Sequence, residues 1–225
     1  TRILVKMQEQ CPQHDLLQLG SVKQKAGRAT RVTVLGDKTE KEATAFIGSD
    51  LKDLCNALDQ ARSVPGLPRI ANCNICGSKP TLDVSPVGHC GIPPKRLLKP
   101  RLQGCAFSWP CNMSTAQNWV HRDLRPDNAM LPGEGWLLID LEWANHHNTP
   151  IGDCAPQNEW TPPEITGADS KWTTASDMWQ FGKLLNVWGR LDTNGSAYVQ
   201  SQLNEDPSAR LSAEDSLDHA FFKAS

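Results

Sequence analysis

No stretch of the 225-residue chain is apolar over the roughly 18 residues that a membrane-spanning helix needs. No charged-then-apolar leader opens it, and it starts on Thr1 rather than Met, which reads as a fragment or a processed product. Excess charge is lacking too. The 23 Lys and Arg against 25 Asp and Glu leave a formal net charge of −2, so bulk electrostatics points to neither a nucleic acid nor a lipid surface. A soluble, cytoplasmic protein is the expectation. Acids are absent between Asp83 and Asp123, a stretch that holds Lys95, Arg96, Lys99 and Arg101. A solvated loop is the plain reading of that run, and a docking patch for an acidic partner the sharper one. The eight cysteines lack a framework. Cys73 and Cys76 have zinc-knuckle spacing, and His89, Cys90, Cys105 and Cys111 could add ligands, but no second well-spaced pair accompanies them. Reduced thiols rather than zinc are therefore expected.

What is present is concentrated in Val120-His121-Arg122-Asp123-Leu124-Arg125-Pro126-Asp127-Asn128. This stretch sets a carboxylate, Asp123, and an amide, Asn128, on one tight loop. A second carboxylate, Asp140, closes the apolar run Trp136-Leu137-Leu138-Ile139, twelve positions after Asn128. One carboxylate for a hydroxyl proton, and an amide with a second carboxylate for a hard cation, is the donor set of phosphoryl transfer. Mg²⁺ prefers oxygen ligands and keeps its other positions for water and phosphate, so two protein oxygens suffice.

The loop resembles the catalytic loop of eukaryotic protein kinases, H-R-D-L-x-x-x-N, at every specified position. Three further motifs follow in the family's order. Pro162-Pro163-Glu164 lies where that family places Ala-Pro-Glu. Asp177-Met178-Trp179-Gln180-Phe181-Gly182 matches D-x-W-x-x-G, on a helix whose N-cap is expected at Thr174 and whose buried stripe is Met178, Phe181, Leu185 and Trp188, ending at Gly189. Asp206 to Ser212 resembles D-P-x-x-R-x-S, followed by an expected helix from Ala213 to Phe222. The resemblance implies an ion pair between Arg210 and Glu164, with Asp177 bonding the backbone of the catalytic loop.

Toward the N-terminus the pattern is weaker. Arg2 to Met7 reads as a short strand and residues 8–30 as polar and mixed, without G-x-G-x-x-G. Arg31 to Leu35 alternates as a strand ending near Lys38, and the spacing of Leu51, Leu54, Cys55, Leu58 and Ala61 puts a helix within 38–62. Arg69 to Ile75 and Thr81 to Val87 read as a hairpin. Pro110 forbids one long helix before Val120, leaving at most Met113 to Trp119 helical. The fold class implied is α+β: a two-lobed protein-kinase-like fold, with a partial β-rich N-lobe over 1–88 and a mainly helical C-lobe over 89–225.

By the same resemblance the ligands are ATP and Mg²⁺, and the partner is a protein whose Ser or Thr hydroxyl accepts the γ-phosphate. Asp123 would take the hydroxyl proton. Arg125, where most Ser/Thr kinases carry lysine, would neutralise the moving phosphoryl group, and Asn128 and Asp140 would hold the metal. Lys38 would be the phosphate-binding lysine, with His121 and Leu141 in the apolar column between the lobes. Four departures are visible. The glycine loop is missing, and no glutamate occurs between Glu42 and Glu134 to pair with the lysine. Asp140-Leu141-Glu142 replaces Asp-Phe-Gly, and Gln157 and Trp160 replace the family's Thr and Tyr. They leave two other readings open: a pseudokinase acting as an interaction module, or a small-molecule kinase of the choline type, whose corresponding segment Ile139 to Ala144 resembles.

Overall fold

A computed structural model describes residues 19–25, 28–35, 38–43, 48–60, 69–74, 81–85, 89–90, 118–131, 137–152, 158–189 and 191–223. The expected strand at 2–7, the basic run at 95–101, the helix at 113–117, Gln157, and Cys76, Cys105 and Cys111 lie outside these residues.

The N-terminal part is one antiparallel sheet of β1 (Leu19–Lys25), β2 (Arg28–Leu35), β3 (Lys38–Ala43), β4 (Arg69–Asn74) and β5 (Thr81–Ser85), in the order β1-β2-β3-β5-β4. A helix, α1 (Gly48–Gln60), joins β3 to β4. Two readings need correction here. The polar stretch before residue 30 holds β1, paired with β2 from Leu19 opposite Val34 to Lys25 opposite Arg28. Residues 38–43 are a strand and not the start of a helix, because β3 is bonded on both sides, to β2 and to β5. Neither Leu-Gly-Ser-Val-Lys-Gln-Lys nor Lys-Thr-Glu-Lys-Glu-Ala shows a clean alternation. Pairing with neighbours decides such segments, not their own propensity. The β4–β5 hairpin forms as expected, with a register shift between Ile70 and Asn72.

The C-terminal part begins with short strands that frame a loop. β6 (His89–Cys90), β8 (Ala129–Leu131) and β9 (Leu137–Leu138) form one small sheet. β7 (Trp119–Val120) pairs with β10 (Asn145–His146), and β11 (Thr149–Pro150) with β12 (Lys171–Trp172). Trp119 is therefore a strand residue, held by its antiparallel partner His146, rather than the end of a helix.

The core is organised on α2 (Thr174–Trp188), which buries Met178, Phe181, Leu184, Leu185 and Trp188. It stops at Gly189, whose φ of 60° is the left-handed conformation that glycine adopts without strain. The N-cap is Thr173, one residue earlier than expected: its N–H donates to Ser176 Oγ at 3.2 Å. That frees Asp177 from capping. Gly182 faces α3 (Thr193–Gln202) so closely that a Cβ there would stand 2.6 Å from the Gln202 Cβ, so only glycine permits this crossing. The last expected helix is two pieces, α4 (Ala213–Leu217) and α5 (Ala220–Lys223). Asp218 N–H turns back to Asp215 O, and Phe221 N–H takes His219 Nδ1 at 3.2 Å, which ends one helix and starts the next. Phe221 and Phe222 are each 1% exposed and join Tyr198 in the same buried cluster. Ala57 of α1 belongs to that cluster as well, alongside Trp119, Leu124 and Leu141. Among the described residues no helix is long and apolar enough to cross a membrane.

Candidate active site

Asp177 holds the loop from beneath. It is fully buried, and its carboxylate accepts from three N–H groups: His121 N at 2.7 Å, Arg122 N at 3.0 Å and Trp172 Nε1 at 2.8 Å. Burial pushes its carboxyl upward, and these donors oppose the shift. The two backbone bonds also account for Arg122, a non-glycine residue at φ 69°. Such a conformation costs about 1–2 kcal/mol and persists where surrounding bonds fix it.

The tautomer of His121 follows from its neighbours. Asp123 N–H donates to Nδ1 at 3.3 Å, so the ring proton sits on Nε2, which donates to Ile139 O at 3.1 Å. Burial lowers the imidazole pKa below its usual value, against the charges of Asp177, Asp123 and Asp140, so His121 stays neutral at neutral pH. All three carboxylates therefore lie within electrostatic reach of one ring. Leu141 is 5% exposed in the core cluster.

Asp123 and Asn128 are brought together directly. One Asn128 amide group donates to both Asp123 O and Asp123 Oδ2, each at 2.8 Å. Both hydrogens are thereby used, and the remaining atom of the side chain is an acceptor, Oδ1. The backbone then ties the second carboxylate in: Ile139 N–H donates to Asn128 O at 2.9 Å, and Asp140 is the next residue. Asp140 has φ 68° and precedes a 3₁₀ turn over Leu141–Trp143. Glu142 lies inside that turn, a conformation any residue adopts, so the missing glycine adds no backbone strain there. An amide oxygen and a carboxylate are hard donors of the kind that suit a hard divalent cation. Arg125 lies against Asp123, its Nε 3.4 Å from Asp123 Oδ1. Lys38 opens β3 opposite Leu35 of β2. That strand carries a second lysine, Lys41, and α1 contains no glutamate. Glu42 shares the strand with Lys38, and Asp59 is an exposed residue near the end of α1.

A cleft of about 20 Å³, room for one water, adjoins Asp123 and is lined by Arg122, Trp143, Trp160, Thr161 and Gln180 among others. Burial lowers the Arg122 pKa to about 10, with Asp177 opposing, so the guanidinium remains cationic; its Nη2 donates to Thr149 O at 2.8 Å. Glu164 and Arg210 form the pair implied by the sequence, with Nη1 on Oε1 at 2.8 Å and Nη2 on Oε2 at 2.7 Å. Burial pushes the Glu164 carboxyl up, but Arg210, a backbone N–H and the Ser176 hydroxyl together carry it below its usual value. Gln180 is the residue that sequence reasoning missed. It is 2% exposed and bonded to the loop on either side of Asp123. The sequence carries no signal for it beyond an amide inside the helix of Asp177.

No protein-family model matches the chain. Among curated proteins it is 31% identical over 101 residues to the serine/threonine-protein kinase SSN3 of Mycosarcoma maydis, across 41% of this chain and 14% of that protein. It is 34% identical over 73 residues to cyclin-dependent kinase G1 of Arabidopsis thaliana, across 30% of this chain and 12% of that protein. The chain thus matches a small fraction of either relative's length. Among solved structures, the Cydia pomonella granulovirus kinase PK-1 superposes with a TM-score of 0.71 at 12% identity, over 99% of both chains. The autoinhibited serine kinase domain of titin gives 0.67 at 13% identity, over 92% of this chain and 80% of that one. The chain has the protein-kinase-like fold, with a β-rich N-terminal part and a helical C-terminal part. It is similar in sequence to protein kinases over less than half its length.

Proposed function

We propose that the protein transfers the γ-phosphate of ATP to a Ser or Thr hydroxyl of a protein substrate, with Mg²⁺. The observation that carries this reading is the pair of hydrogen bonds from the Asn128 amide to Asp123, which uses both its hydrogens and leaves Oδ1 as the acceptor of a residue whose carbonyl takes the N–H of Ile139, the neighbour of Asp140. Asn128 Oδ1 and the Asp140 carboxylate would hold the metal, which supplies neutralising charge for the phosphates. Asp123 takes the proton of the acceptor hydroxyl while that oxygen bonds to the γ-phosphorus and the bridging oxygen leaves with ADP. Arg125, already beside Asp123, contributes positive charge where the phosphoryl group passes. Lys38 is assigned to the ATP phosphates, on a small lobe of residues 1–88 facing a large lobe of 89–225. A cytoplasmic setting is part of the same proposal.

The test is phosphate incorporation from γ-labelled ATP into a generic protein substrate such as casein, comparing wild type with Asp123→Ala. Incorporation by wild type that falls by at least about 100-fold in the variant supports the reading, the usual scale for losing a general base. Equal incorporation by the two, or none by either, overturns it.

A further inference from the structure

Gln180 uses every hydrogen-bonding atom of its side chain on backbone that surrounds the site. Its Oε1 accepts from Leu124 N at 2.8 Å, and its Nε2 donates to Arg122 O at 3.3 Å and to Trp160 O at 2.8 Å. The partners fix the amide's orientation, since an N–H needs the oxygen and two carbonyls need the nitrogen. Arg122 and Leu124 are the residues immediately before and after Asp123, so this one amide grips the backbone on both sides of the base. Trp160 belongs to a different segment, the one leading into Pro162-Pro163-Glu164. There Asn158 forms a tight turn, taking Trp160 N–H on Oδ1 at 2.8 Å and Thr161 N–H on its carbonyl at 3.0 Å.

A second side chain of α2 reinforces the same attachment. Lys183 donates to Glu159 O, and its ammonium lies 5.4 Å from the centre of the Trp160 ring and 5.2 Å from that of Trp179. The segment 158–161 is thus fastened to α2 at two successive carbonyls, while only Gln180 also reaches the catalytic loop.

We infer that Gln180 is a positioning residue that locks the Asp123 backbone to the Trp160 segment, so that the base and the floor of the adjoining cleft keep one fixed relation. The cleft lies between them and is lined by Asp123, Trp160, Thr161 and Gln180 itself. Under the phosphotransfer reading, on which only the kinetic part rests, this sets the distance from the base to a hydroxyl held on the segment. Backbone displacements of about 1 Å can change such a rate by about 100-fold.

Two variants separate the bonds. Gln180→Met removes all three with little change in volume. Gln180→Glu keeps an acceptor for Leu124 N–H but has no donor for Arg122 O or Trp160 O. Residue-resolved amide exchange on the whole chain is expected to show Leu124 exposed in Q180M and still protected in Q180E, with Trp160 and Thr161 loosened in both and α3 unchanged. In the transfer assay, kcat is expected to fall about tenfold in both, with KM for ATP within about twofold, as for loss of an interaction made in the transition state. The inference is overturned by unchanged exchange at Trp160 and Thr161, or by loosening spread evenly through α3 and α5. Should Q180M fail to fold, Q180E decides. A wild type that transfers no phosphate removes the phosphotransfer reading, while the exchange pattern still decides the clamp.

Discussion

Around Asp177 the chain buries the side chains of Asp177, Asn128 and Gln180 and satisfies them one bond at a time. Three N–H groups end on that carboxylate, two hydrogen bonds run from the Asn128 amide to Asp123, and Gln180 accepts one and donates two. The closing helices pack mainly ring against ring, with the Tyr198 hydroxyl donating to Ser216 Oγ at 3.0 Å as a polar tie. Tyr198 meets Phe222 edge-on at 5.0 Å, and Phe221 meets Phe222 at 4.7 Å, with 1% exposure or less for each ring. Apolar burial is non-directional and tolerates shape changes, whereas a buried carboxylate is favourable only when its partners stand at set distances and angles. Chemistry that needs fixed distances belongs to the part whose geometry is specified bond by bond.

The comparison is broken most sharply by matched losses on its two sides. Asp177→Ala leaves three buried N–H groups without an acceptor and is expected to destabilise by about 3–5 kcal/mol. Phe221→Ala should lose a similar amount, about 3–5 kcal/mol, through an emptied ring site. Urea unfolding measures both. At temperatures where each variant remains folded, the thermal shift given by Mg-ATP should vanish in D177A and persist in F221A. Equal loss of the shift in both would mean that the site depends on general packing and not on the polar anchor.

A smaller effect is expected from the pair that bridges the two regions. Arg210→Met strands the partly exposed Glu164 carboxylate and should cost about 2–3 kcal/mol, below the range for a fully buried pair. Because the folded-state pKa of Glu164 is depressed, its contribution is present above the unfolded value and is lost as pH falls through the folded one. Glu164→Gln should therefore flatten the acid limb of the stability curve below about pH 4.5, the ordinary glutamate range. An unchanged acid limb would show that the pair contributes little.

The smallest effect concerns His121. Its pKa is lowered on folding, so protons bind the unfolded chain more readily, and stability present above about pH 6.5 is lost on acidification. Unfolding midpoints of wild type should fall between pH 7 and 5, and His121→Phe should remove the part of that slope due to the buried imidazole. A variant with the wild-type slope would place the titration elsewhere.

The sequence was informative where a residue's identity is dictated by a directed bond. Asp177, Glu164 and Arg210 could be named with their partners because their motifs resemble those of protein kinases, and the stripe of α2 follows from its spacing. It was silent where pairing with a remote segment decides. β1 and β3 carry mixed polar residues whose strand state comes from β2 and β5. Gln180 was invisible for a related reason, since an amide in a helix gives no sign of being buried until Arg122, Leu124 and Trp160 arrive around it. The break between α4 and α5 depends on His219 capping Phe221, a bond that periodicity does not encode.

Asn128 and Asp140 are expected to serve one divalent ion beside Asp123. Electron paramagnetic resonance of Mn²⁺ added with ATP tests this directly, in wild type, Asn128→Ala, Asp140→Ala and, as a distant exposed control, Asp206→Ala. Nucleotide-dependent Mn²⁺ binding in wild type and D206A, lost in both N128A and D140A, is the expected result. Binding that survives unchanged in N128A and D140A would contradict it.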